Sequence, residues 1–159
     1  MSNGTIAVLL SASILSIAGL DQPGAASARD RAWQLTRDGV IAGKTAVPIP
    51  GWVLARASFA CAPDLAVGPK GEAVITSNVV PTLWRVDPAT LAVTEHPLKL
   101  DTDSDKDVGF TRLLYSPKHA AYFAVSQAHG SLWRIDTQLQ RAQKIGFTLS
   151  KEDSTCATN

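Results

Sequence analysis

Seven consecutive residues, Asp101-Thr102-Asp103-Ser104-Asp105-Lys106-Asp107, carry a carboxylate at every second position. Carboxylates alternating along a loop can converge on a cation, and Ca²⁺ takes about six to eight oxygen ligands. Asp101, Asp103, Asp105 and Asp107 are therefore the candidate metal ligands. The segment departs from a calcium loop at two places: Lys106 replaces the turn glycine, and Arg112 stands where a bidentate glutamate would close the shell. Read without a metal, it is a solvated connection in which Asp and Ser favour turns.

Other reactive side chains are dispersed. His96, His119 and His129 stand apart, in a closing strand and two turns, without the spacing of metal ligands. Solvated positions account for them. No serine sits in a Gly-x-Ser-x-Gly elbow and no histidine lies near Cys61 in sequence, so no catalytic set is expected. Cys61 and Cys156 are the two cysteines. In an oxidising compartment an even count suggests one disulfide, within the chain or between chains; the alternative is a buried thiol and a tail thiol. A bridge within one chain would stabilise by about 4 kcal/mol in the chain-entropy model.

The elements that must position these residues are legible from an internal echo. Leu83-Trp84-Arg85-Val86-Asp87 returns as Leu132-Trp133-Arg134-Ile135-Asp136. Upstream, Gly68-Pro69-Lys70-Gly71 and the apolar run from Ala73 correspond to Ser116-Pro117-Lys118-His119 and the run from Ala121. Pro69 and Pro117 are 48 positions apart and Trp84 and Trp133 are 49 apart, so one residue is inserted between matching strands. Leu98 and Leu100 follow Trp84 by 14 and 16 residues, as Phe147 and Leu149 follow Trp133 and as Val47 and Ile49 follow Trp33. Short blocks rich in Val, Ile, Trp, Tyr and Phe between Gly-Pro, Ser-Pro and Asp-Pro turns are strand signals. Four strands recurring every 40 to 50 residues or so predict an all-β fold of β-propeller-like, four-stranded antiparallel blades. A sandwich needs no such period. Trp33, Trp84 and Trp133 could be imagined as a sugar-stacking set, but their place in each unit points to blade packing.

The order Pro-Lys-Gly, apolar strand, Leu-Trp-Arg-Val-Asp-Pro and closing apolar strand resembles blades of bacterial propellers of the NHL and YVTN (lactonase-like) type. The resemblance covers residues 59–150 and a half unit near Trp33. It implies a blade fold and carries no functional residue to this chain. Two whole units, residues 59–100 and 109–150, and a half blade at residues 29–52, read as a two-stranded hairpin, make a partial propeller. Residues 151–159 form a short tail.

Residues 6–20 are mainly apolar and are followed by Pro23-Gly24 and Ala26-Ser27-Ala28, the order of a secretory leader cut after Ala28. Fifteen apolar residues are short of the 20 or so that span a bilayer. A single domain at residues 29–159, periplasmic or secreted and free of the membrane once the leader is cut, is expected. The formal charge of +1, with basic residues scattered, gives no electrostatic reason to expect nucleic acid or an acidic membrane as partner.

About two and a half blades fall short of the four to eight or so of a ring. A homo-oligomer or a partner propeller chain is expected to complete it. Irregular positions at loop ends, Trp52, Asn78, Gln127 and His129, are the candidate contacts to a small ligand or protein. The expected function is a non-enzymatic binding or scaffold module without cofactor. The alternative is a lactonase-like or quinoprotein-like propeller enzyme with a metal or cofactor on the ring axis, for which Glu72 and Asn78 are available in the first unit only.

Overall fold

The computed structural model describes residues 32–54, 61–102 and 108–147. All regular elements among them are strands, in three sheets. The first sheet comprises β1 (Trp33–Leu35), β2 (Gly39–Ala42) and β3 (Thr45–Pro48), paired antiparallel in chain order. The second is a meander of β4 (Leu65–Val67), β5 (Ala73–Thr76), β6 (Thr82–Val86) and β7 (Val93–Pro97). The third repeats that order in β9 (Arg112–Ser116), β10 (Ala121–Ser126), β11 (Ser131–Asp136) and β12 (Arg141–Phe147). A short strand, β8 (Lys99–Leu100), leaves the second sheet and pairs parallel to β12, tying neighbouring sheets at their outer edges.

The alternation of side chains fixes how the sheets stack. On one face of the second sheet Ala73, Ile75, Trp84 and Val86 pack against Val40, Ala42, Val47 and Ile49 of the first. On its other face Ala66, Val74 and Leu83 pack against Leu113, Tyr122, Ala124, Trp133 and Ile135 of the third. Trp84 and Trp133 are 1% and 0% exposed, and burying side chains of this size contributes about 2 to 3 kcal/mol each. Each tryptophan looks back toward the preceding sheet. The first strands of the two complete sheets, β4 and β9, lie side by side. Asp64 clamps their starts, its carboxylate accepting the Leu65 N–H at 2.9 Å and the Leu113 N–H at 2.9 Å. Consecutive four-stranded meanders stacked face to face, inner strand beside inner strand, define a partial β-propeller.

Register locates the inserted residue. Val67 pairs with Ala73, whereas Tyr115 pairs with Tyr122, so the extra position lies in the turn from β9 to β10. Ala120 in that turn takes a positive φ of 44°. At the far end of the sheet a bulge between Leu132 and Trp133 displaces Ile145, so Phe147 stands opposite Ser131 as Pro97 stands opposite Thr82. The expected match of Phe147 with Leu98 is therefore one residue out. Leu98 has left the sheet on its way to β8.

The N-terminal unit also corrects the expected hairpin. It has three strands, because Asp38 and Gly39 turn the chain once and Gly43, at φ 63°, turns it again. Trp33 lies on the first of these strands, while Trp84 and Trp133 lie on the third of four. The 14- and 16-residue spacings from Trp33 thus join unlike positions. The first strand of this sheet, β1, lies beside β4, with Trp33, Leu35 and Leu65 in one apolar cluster, and Val67 at the far end of β4 is 46% exposed.

Candidate functional site

Antiparallel meanders put their connections at alternate ends. Cys61, Asn78, Gln127 and His129 share the end where β4 and β9 begin. Trp52 reaches the same end, half-buried, its indole N–H donating to the Thr76 carbonyl at 3.0 Å. Asn78 donates its amide N–H to the Cys61 carbonyl at 3.1 Å. Both are fasteners between a connection and a strand end. Gln127 and His129 sit in the β10–β11 turn, His129 exposed. Asp101 belongs to the sheet edge, its carboxylate accepting the Lys144 N–H at 3.0 Å. Asp103, Asp105, Asp107 and Cys156 lie outside the described residues. Among the described residues no three His, Cys, Asp or Glu side chains are grouped to hold a metal.

The histidines differ from one another. His119 shares a hydrogen bond with the Ser116 hydroxyl at 2.9 Å, in an exposed turn. His96 corrects the expectation of a solvated position: it is half-buried on β7 and its Nε2 has no partner among the described residues. Burial, and then the charge of Arg85, pushes its pKa below the ordinary histidine value.

Two features went unseen in the sequence. One is a cleft of about 590 Å³ between the second and third sheets, at the end opposite Asn78, lined by Lys70, Glu72, Arg85, Asp87, Tyr115 and Gln138 among others. Its acids are already engaged. Glu72, 7% exposed, accepts the Lys70 backbone N–H at 2.8 Å and faces the Tyr122 hydroxyl at 3.4 Å. Asp87 accepts the N–H groups of Ala89 and Thr90 and the Thr90 hydroxyl at 2.8 to 3.0 Å, and the Thr90 amide foremost holds its carboxyl below the usual range. Tyr122 is shifted the other way, burial and then the Glu72 charge raising its hydroxyl well above the ordinary value. No hydrogen bond or ion pair to a described residue engages the Arg85 guanidinium.

The second feature is the outer face of the third sheet. Pairing makes Leu114, Phe123, Val125 and Leu132 the counterparts of Ala66, Val74, Thr76 and Leu83. In the second sheet those four are buried beneath the third. In the third sheet Leu114 is 56% exposed, Ile145 at the bulge is 44% exposed, and Phe123, Val125 and Leu132 are half-buried. No sequence signal marks this face as uncovered, because its composition is that of an interior.

No protein-family model matches this chain, and no curated protein matches it. Among solved structures it is similar to virginiamycin B lyase from Staphylococcus aureus, with a TM-score of 0.48 and 15% identity over 79% of this chain. The chain spans 37% of that protein's length, and nothing of that protein's activity is carried to it.

Proposed function

We propose that this chain is an exported propeller-type binding or scaffold module, of the NHL/YVTN kind its blade motifs resemble, whose ring is extended head-to-tail by a second copy. The observation that carries this reading is the outer face of the third sheet, which exposes an apolar layer where the same face one sheet earlier is interior. Size complementarity indicates the occupant. Where two sheets meet within the chain, the small residues Ala66, Val74 and Thr76 receive the large residues Tyr122 and Trp133. The outer face of the third sheet is large instead, with Leu114, Phe123 and Leu132. The free face of the first sheet carries Gln34, Ile41, Ala46 and Pro48 and no aromatic residue. Interiors pack to constant density, so the aromatic-bearing face of the third sheet and the aromatic-free face of the first are the pairing the two ends offer. Three sheets per copy give a two-copy assembly of about six, within the range that closes a ring.

Export and a Cys61–Cys156 bridge belong to the same reading. Support for the bridge is that no described cysteine is a free thiol and that Cys61 is 6% exposed.

Sedimentation velocity over a concentration series tests the assembly. Residues 29–159 sediment as a dimer, and the double variant Leu114→Glu, Leu132→Glu sediments as a monomer with unchanged far-UV circular dichroism. A wild-type chain that stays monomeric at every soluble concentration would overturn the reading.

A further inference from the structure

We infer that the cleft between the second and third sheets binds a small polyhydroxy carboxylate, of the sugar-acid class, through the Arg85 guanidinium. Glu72 has both oxygens engaged, Oε2 by the Lys70 N–H and Oε1 by the Tyr122 hydroxyl, and the turn after Asp87 directs three donors at its Oδ1. The charged donors in the lining are Arg85 and Lys70. Arg85 is half-buried on β6 between Val74 and Thr94, and a guanidinium presents a planar fork that matches a carboxylate. Lys70, exposed at the rim, adds a second positive charge.

The rest of the lining sets the ligand class. Thr90, Thr94, Thr137 and Gln138 offer hydroxyls and an amide suited to ligand hydroxyls, and Tyr115 supplies one aromatic wall. A bare carboxylate such as formate would leave most of the roughly 590 Å³ unfilled. An apolar acid would leave the threonines and the glutamine facing its hydrocarbon. The third sheet carries Arg134 at the position of Arg85, in a second cleft of about 590 Å³ that Lys99, Asp101 and Gln143 also line. That cleft lies on the uncovered face, so it is open where the Arg85 cleft is walled on both sides. The Arg85 cleft is complete within one copy and does not depend on self-association.

Calorimetric titration with D-glucuronate, and with D-glucose as the neutral counterpart, tests the inference. Glucuronate binds with one site per chain and glucose does not. Arg85→Gln weakens glucuronate at least tenfold, Arg85→Lys weakens it several-fold, and Arg134→Gln leaves it unchanged. In the wild-type protein the Arg85 Nε–Hε resonance shifts on addition of glucuronate, a readout that requires no variant to fold. Glucuronate binding no tighter than glucose, an unaltered Arg85→Gln titration, or an Arg85 resonance that does not move would each overturn it.

Discussion

Trp84 and Trp133 hold the same place in their sheets, yet their indole N–H groups meet different fates. The Trp133 N–H donates to the Ser131 hydroxyl at 2.8 Å, while the buried Trp84 N–H has no partner among the described residues. A buried unpaired donor costs about 1 to 3 kcal/mol, and replacing it by an apolar group recovers part of that. Urea unfolding should therefore find Trp133→Phe more destabilising than Trp84→Phe by about 1 to 2 kcal/mol. Equal losses would mean that the Trp84 N–H is satisfied in solution. Titrating groups divide in the same way. His96 has a folded-state pKa below its ordinary 6.5, so the stability held by its neutral ring is present above that value and lost as pH falls through it. Tyr122 has a raised pKa, so its contribution is intact below the ordinary 10.0 and lost as pH climbs above that value. His96→Leu should flatten the acid limb of a stability–pH profile as pH falls through about 6.5, and Tyr122→Phe the alkaline limb above about pH 10. Limbs that persist in these variants would assign the proton linkage to other groups.

At the scale of the element, the turns and close approaches show what the sequence could and could not tell. The echo of Leu-Trp-Arg-Val-Asp was readable because strand and turn need particular residues. Asp87 and Asp136 both end a strand and cap the following turn through side-chain oxygens, Asp136 accepting the Gln140 and Arg141 N–H groups at 3.1 and 2.9 Å. Four-stranded antiparallel sheets followed from that pattern. The middle strand of the N-terminal sheet, Gly39–Ala42, was missed because it is only four residues long and runs directly after a turn, too short for periodicity to mark. The clefts and the uncovered face were missed for a different reason: engagement of Glu72 by Tyr122, 50 residues away, and exposure of Leu114 are products of stacking. Gly109 is another such case. A methyl group there would stand 2.0 to 2.2 Å from the backbone of Asn78 and Val79, where the connection into β9 crosses the β5–β6 loop. Backbone cannot yield as a side-chain tip can. Gly109→Ala should cost about 2 kcal/mol or more in chemical denaturation, whereas Gly146→Ala, with nothing within 4 Å, should change stability by about 0.5 kcal/mol or less. Comparable effects from both would contradict the close crossing.

For the whole molecule, the sheets form a run with two unlike ends. One end is a large apolar face on the third sheet, the other the aromatic-free face of the first. Such a run has no two-fold relation between its ends, so self-association through them is heterologous and must close on itself or continue as a filament. Closure with about six sheets avoids the second outcome. The most direct measurement is a mixed cross-link under mild oxidation, in a background where Cys61 and Cys156 are both replaced by serine. One copy carries Leu114→Cys on the free face of the third sheet and the other carries Ala46→Cys on the free face of the first. Head-to-tail docking predicts a disulfide between the two different variants and little between copies of either one. Efficient cross-linking of Leu114→Cys to itself, or no cross-link in any mixture, would contradict it.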